Sequence, residues 1–220
     1  MKSVAVRAEA LRITEIFVSL QGESTRTGLP TVFVRLTGCP LRCTWCDTAY
    51  AFQGGETRSV ASVLEEVGRH GIRHVCVTGG EPLAQKKCHD LLTALCDAGY
   101  SVSLETSGAI DIAAVDPRVS RVMDLKAPGS GEHARNRIEN IRHLTDRDEI
   151  KIVLRDIADY EWARAQLAEL GLPDRCPVLF SPVQGALDPS ALADWIVRDR
   201  LPVRFQLQLH KLLWNDARGR

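Results

Sequence analysis

The residues with the plainest chemistry are Cys39, Cys43 and Cys46, spaced Cys-x3-Cys-x2-Cys within TGCPLRCTWCDTAY. Thiolates are the ligands that suit iron–sulfur clusters or zinc. Three so close together can hold three irons of a 4Fe-4S cubane, leaving the fourth iron open to chelate the amino and carboxylate groups of a small molecule. A structural zinc site asks for four protein ligands, usually as two pairs, and no second Cys or His pair follows at such a spacing. Cys76, Cys88, Cys96 and Cys176 lie in strand or helix patterns or beside Pro177, and read as small core residues. The odd total of seven cysteines argues against a fully paired disulfide framework.

Further polar groups follow apolar runs. Val75-Cys76-Val77 ends in Thr78-Gly79-Gly80-Glu81-Pro82, and glycines at a strand end let a ligand approach the backbone closely. Glu105-Thr106-Ser107-Gly108, Asp124-Leu125-Lys126 and Ser181-Pro182-Val183-Gln184 end three other runs. Read singly, each is equally a solvated turn.

Positioning these groups on one face requires a particular fold. Strands are expected at Arg12–Leu20, Thr31–Leu36, His74–Thr78, Ser101–Glu105, Arg121–Leu125, Glu149–Leu154, Val178–Ser181 and Val203–Gln208. Helices are expected at Val60–His70 behind a Ser59 cap, at Pro82–Ala98, between Asp156 and Gly171, and from Pro189 to about Val197 behind Asp188. Repeated strand–helix–strand order implies right-handed crossovers and a mostly parallel sheet, whose strand C-termini share one face. The expected class is therefore α/β: a partial (β/α) barrel of about six βα units, since a full eight-unit barrel takes about 250 residues. No linker, repeat or low-complexity tract divides it, so residues 1–220 read as a single domain.

Composition narrows the partners. Lys+Arg and Asp+Glu are both 28 in 220 residues, which gives no global field to attract nucleic acid or an anionic membrane. No apolar run is long enough to cross a bilayer, and the charged N-terminus does not read as a signal peptide. The expectation is a cytoplasmic protein acting on a small molecule.

The cysteine spacing, with Trp45 before the last cysteine and Gly-Gly-Glu-Pro one βα unit later, resembles the radical S-adenosylmethionine superfamily. The resemblance implies that Cys39, Cys43 and Cys46 hold a 4Fe-4S cluster that reductively cleaves S-adenosylmethionine, and that the resulting deoxyadenosyl radical abstracts a substrate hydrogen. It implies cofactor contacts from Trp45, Cys46, Asp47, the backbone around Gly80, Asp124, Leu125, Lys126, Ser181 and Gln184. Lys126 suits a carboxylate, and Gln184 an adenine or ribose edge.

Within that superfamily, Ser19-Leu20-Gln21-Gly22-Glu23-Ser24, Phe33-Val34-Arg35-Leu36-Thr37-Gly38-Cys39, Cys46-Asp47-Thr48 and Gln206-Leu207-Gln208-Leu209-His210-Lys211 resemble the 7-carboxy-7-deazaguanine synthases of queuosine and deazapurine biosynthesis. The implied reaction is radical ring contraction of 6-carboxy-5,6,7,8-tetrahydropterin with loss of ammonia. S-adenosylmethionine is regenerated and Mg²⁺ assists. An external flavodoxin-like or ferredoxin-like one-electron reductant and a homodimer are implied as well. Leu20, Gln21, Gly22, Glu23, Arg35, Thr78 and His210 are expected around the substrate, Thr48 at Mg²⁺, and Glu105 and His210 in proton handling. A guanidinium binds a carboxylate bidentately, and Mg²⁺ takes oxygen ligands. Taken singly, Arg35 reads equally as an ion-pair residue, Thr48 as a turn cap and Gln21 as an ordinary loop residue. Two alternatives share the cysteine pattern: a glycyl-radical-enzyme activase and a non-catalytic metal-binding protein.

Overall fold

The computed structural model describes residues 10–215 and 217–219. Among these, the strands are β1 (Leu11–Leu20), β2 (Pro30–Leu36), β3 (Glu56–Arg58), β4 (His74–Gly79), β5 (Ser101–Thr106), β6 (Ser120–Asp124), β7 (Glu149–Leu154), β8 (Val178–Pro182) and β9 (Arg204–Phe205). They form one sheet in the order β3-β1-β2-β4-β5-β6-β7-β8-β9. β1 pairs antiparallel with β2 and β3. From β2 through β4 to β9 every neighbouring pair is parallel, six pairs in succession. β3 and β9 are free edges of this order, so the barrel is partial.

The helices are α1 (Val60–Arg69), α2 (Cys88–Asp97), α3 (Ile157–Glu169), α4 (Pro189–Asp199) and α5 (Leu209–Trp214). Their starts follow from capping side chains. Ser59 accepts from Ser62 N at 3.2 Å, Asp156 from Asp159 N at 3.0 Å and Asp188 from Ser190 N at 3.0 Å, each satisfying an amide that the first turn leaves open. The first four helices cover the outside of the sheet. The β5–β6 and β6–β7 crossovers carry no α-helix, and three 3-10 turns lie in the latter.

Side-chain alternation along the strands separates core from cavity. On β7, Ile150, Ile152 and Leu154 join the helix-facing core, while Lys151 and Val153 line the interior. β2 divides in the same way, with Val32, Val34 and Leu36 in the core and Phe33 and Arg35 inside.

Two expectations are corrected. The helix predicted over Pro82–Ala98 is two elements, a 3-10 turn at Pro82–Ala84 and then α2. Gln85 between them is extended, because its side chain binds the backbone of β1 and of the segment after β2: it accepts from Arg12 N at 2.8 Å and donates to Thr37 O at 2.9 Å. The strand predicted over Val203–Gln208 shortens to Arg204–Phe205, since Gln206 turns to bond Ser24 and Thr27. Antiparallel β1 also means that the loop after Leu20 leaves from the opposite end of the sheet from the loops after the parallel strands. That loop carries Gln21, Gly22 and Glu23.

Candidate active site

The cysteine loop leaves β2 through Gly38, whose φ of +100° is a conformation that glycine adopts without strain. Its flanks are tied down on both sides. Gly38 N donates to Ala51 O at 2.7 Å, Thr44 N to Ser130 O at 3.0 Å, and Arg42 N to Glu132 Oε1 at 2.6 Å. The thiols of Cys39, Cys43 and Cys46 are unpaired with one another and line one cavity. Among the described residues no three Cys, His, Asp or Glu side chains converge on a single ion. A cubane asks for something different, one sulfur at each of three corners from an all-thiolate donor set, and this loop provides that set. Burial raises the Cys43 thiol and the nearby Lys126 opposes the rise; metal coordination deprotonates a thiol outright.

The glycine pair at the end of β4 sits directly under this loop. A Cβ at Gly80 would stand 2.4 Å from Gly38 O and 2.5 Å from the Cys39 Cβ, and one at Gly79 would stand 2.4 Å from Leu36 O. Glycine is therefore required for β4 to meet the root of the cysteine loop. Glu81 fixes the joint from the other side. Fully buried, its carboxylate accepts from Leu83 N at 2.9 Å, Ser107 N at 2.6 Å, Ser107 Oγ at 2.5 Å and Thr106 Oγ1 at 2.9 Å. One acid thereby locks the ends of β4 and β5 together.

The cavity holds about 730 Å³, within the range of sites for a cofactor and small substrate. Of the residues singled out in the sequence, all but Leu125 and Ser181 line it. Those two lie behind the wall, with the Leu125 side chain in the core and Ser181 fully buried. Away from the cysteines, Glu105 accepts from Gln21 Nε2 at 3.3 Å and from Thr78 Oγ1 at 2.9 Å, joining three elements at one carboxylate. Arg35 donates its Nε to Glu15 Oε1 at 2.7 Å, and Tyr50 Oη donates to the same oxygen at 2.8 Å. Burial disfavours the Arg35 cation, but Tyr50 and Glu15 raise its pKa above the ordinary value. Burial and Glu15 push the Tyr50 phenol up to about 12.

A chain of buried charges runs between the two ends. Lys126 Nζ lies 2.5 Å from Asp124 Oδ2, Lys151 Nζ lies 3.3 Å from Asp124 Oδ1, and Lys151 also pairs closely with Glu23. Gln208 Nε2 donates to the other Glu23 oxygen at 2.6 Å. Burial pushes the Glu23 and Asp124 carboxyls up, but the lysines hold both below the usual range. The C-terminal segment completes the wall. Leu209 N donates to Gly22 O at 3.0 Å, Lys211 pairs with Asp47 at 2.8 Å, and the Arg218 guanidinium stacks 4.2 Å from the Tyr50 ring centroid. A Cβ at Gly22 would meet His210 Nδ1 at 2.8 Å, so glycine there seats the histidine. Thr48 Oγ1 donates to Asp47 Oδ1 at 2.9 Å.

The radical SAM superfamily profile matches residues 33–127, the stretch that holds the cysteine loop and the glycine pair. A 7-carboxy-7-deazaguanine synthase of Chlorobaculum tepidum is 47% identical over 95% of this chain and 97% of its own length. One from Koribacter versatilis is 44% identical over 93% of this chain and 97% of its own. The chain belongs to the 7-carboxy-7-deazaguanine synthase family. The crystal structure of QueE from Escherichia coli superposes with a TM-score of 0.76 at 26% identity, covering 91% of this chain and 95% of that one. The nine-stranded, mostly parallel α/β sheet is thus the partial barrel of this family.

Several residues that line or brace this synthase-family cavity have no mark in the sequence. Lys151 stands in EIKIVL, where the lysine reads as an outward polar residue of an apolar strand. Glu15 and Tyr50 meet Arg35 only through the β1–β2 pairing and the turn after the cysteines. Glu81 reads in the sequence as part of a glycine-rich turn. The one available signal was its place between two glycines and a proline, where a carboxylate can cap the following turn.

Proposed function

We propose that the protein converts 6-carboxy-5,6,7,8-tetrahydropterin to 7-carboxy-7-deazaguanine and ammonia. It is a radical S-adenosylmethionine lyase with a 4Fe-4S cluster, S-adenosylmethionine and Mg²⁺ as cofactors, in queuosine and deazapurine biosynthesis. The observation that carries this reading is that the three thiols and the Gln21–Glu105–Arg35 end are walls of one cavity, in a chain of this family. The reaction balances without net redox change: the product and ammonia together hold every atom of the substrate.

Cys39, Cys43 and Cys46 would hold the cluster. Trp45, Cys46, Asp47, the Gly80 backbone, Asp124, Leu125, Lys126, Ser181 and Gln184 would surround S-adenosylmethionine, with Leu125 and Ser181 contributing from behind the wall. When bound, this pair supplies a carbon radical able to take a hydrogen atom from the substrate. The chain does the rest. With Nε engaged by Glu15, Arg35 keeps the terminal face of its guanidinium for the pterin carboxylate. Leu20, Gln21, Gly22, Glu23, Thr78 and His210 would frame the heterocycle, with Gln21 and Glu23 reading its donor and acceptor edge. Thr48 would offer Mg²⁺ its hydroxyl. Glu105, oriented by Gln21 and Thr78, and His210, seated on Gly22, would accept and return protons during rearrangement.

Residues 1–220 would act as a single domain, as a cytoplasmic homodimer reduced by a flavodoxin-like or ferredoxin-like protein. No helix among the described residues is long and apolar enough to cross a membrane. The reading is tested by anaerobic assay of reconstituted protein with the carboxytetrahydropterin, S-adenosylmethionine, Mg²⁺ and a reductant. Ammonia and 7-carboxy-7-deazaguanine should form in equal amounts, and absence of the deazaguanine would refute it.

A further inference from the structure

Lys151 is enclosed in the cavity wall yet belongs to none of the roles above. It projects from β7 on the face opposite Ile150 and Ile152 and meets carboxylates from two distant parts of the chain. Asp124 ends β6, beside the cysteine end of the cavity. Glu23 comes from the loop after antiparallel β1, which enters from the opposite end of the sheet. Each carboxylate has one further partner of its own, Lys126 for Asp124 and Gln208 for Glu23. Among the described residues, Lys151 is the one side chain paired with both.

We propose that Lys151 is a positioning residue that couples the cofactor half of the cavity to the substrate half by sharing one ammonium between Asp124 and Glu23. The proposal rests on the function given above, in which S-adenosylmethionine lies against Asp124 and the pterin against Glu23. The ammonium sits closely on Glu23 and farther, at 3.3 Å, from an Asp124 Oδ1 that has no hydrogen-bond partner among the described residues, so it is not optimally placed for both. A ligand that engages Asp124 draws hydrogen-bonding capacity from that carboxylate and leaves Lys151 to settle on Glu23, so Glu23 is fixed for the pterin. The converse holds by thermodynamic linkage, since coupling between two sites is reciprocal. The low-dielectric setting amplifies the effect. Burial disfavours the Lys151 cation, and Asp124, Glu23 and Glu105 together raise its pKa well above the ordinary value. Removing one partner of a buried ion pair leaves an uncompensated charge; here removal of Lys151 takes the paired cation from Glu23 and leaves Asp124 to Lys126.

The test is equilibrium binding to the cluster-loaded protein under anaerobic conditions with no reductant, so that no turnover occurs. The dissociation constant of 6-carboxy-5,6,7,8-tetrahydropterin is measured with and without saturating S-adenosylmethionine, and the converse pair is measured as well. In the unsubstituted protein each ligand should tighten the other by about fivefold, the lower end of ordinary coupling. Lys151→Met should weaken each ligand by about tenfold and bring the coupling factor to about one. Lys151→Arg, which keeps a cation, should restore part of the coupling, as a purely space-filling role would not. If Lys151→Met does not fold, Glu23→Gln reads the same link from its other end and should also abolish the coupling. Coupling that survives in either variant overturns the proposal. An unsubstituted protein that binds both ligands without coupling overturns it too, while leaving the proposed function standing. An unsubstituted protein that does not bind the pterin overturns both.

Discussion

Arg35 shows how a residue's function is decided by what its neighbours leave free. Its position before Cys39 suggested a carboxylate clamp, and an ion pair was the competing reading; the structure contains the ion pair with Glu15 and still aims the residue into the cavity. The two readings are compatible because a guanidinium has five donors. Arg35→Ala should therefore weaken carboxypterin binding by at least about tenfold, the loss expected of a charge-assisted bidentate contact, while iron content and cluster absorption stay unchanged. Unaltered pterin affinity would remove Arg35 from the substrate site. The cysteines, Gly80 and Arg35 were legible because the residues that define them are adjacent in sequence. Lys151 was not, since one of its partners lies 128 positions away.

The same contrast governs the elements. The parallel strands could be read because each carries a short, largely β-branched apolar set for its core face, bounded by turn residues. The break between Pro82 and Cys88 could not, because it is imposed by Gln85 reaching backbone atoms of Arg12 and Thr37, which lie 73 and 48 positions back. Nor could the reversed departure of the Gln21–Glu23 loop, since strand direction is set by pairing rather than by local propensity. The joint between β4 and the cysteine loop carries its own prediction. Gly80→Ala places a methyl group 2.4 Å from Gly38 O, backbone that cannot give way cheaply. It should cost about 1–3 kcal/mol of stability and lower the iron bound per chain after reconstitution. A urea midpoint and iron content equal to those of the parent would contradict that packing argument.

At the scale of the molecule, a nearly neutral chain lines one cavity with paired buried charges, and buries the Arg121–Asp148 pair elsewhere. Glu23, Asp124 and Asp47 are each pushed up by burial and drawn below the ordinary carboxylate range by Lys151, Lys126 and Lys211 respectively. Groups whose folded pKa is depressed contribute stability that is present above their unfolded pKa near 4 and is lost as pH falls through the folded values. The raised pKa of Lys151 has the opposite sign: its contribution is complete below about pH 10 and is lost only above that. Unfolding midpoints should thus be nearly flat between about pH 6 and 8 and fall below about pH 4. A steady decline on acidification through pH 6 would show that these carboxylates are not held ionised by their lysines.

The central claim is that the cysteine end and the polar end of this cavity serve one reaction on one small molecule. Its most direct test is a single anaerobic reaction in which reconstituted protein receives the carboxytetrahydropterin in large excess over S-adenosylmethionine, with Mg²⁺ and reductant and no other protein. The account predicts 7-carboxy-7-deazaguanine in amounts exceeding the S-adenosylmethionine supplied. Cleavage of S-adenosylmethionine to methionine and 5′-deoxyadenosine, with the pterin recovered intact, would contradict it.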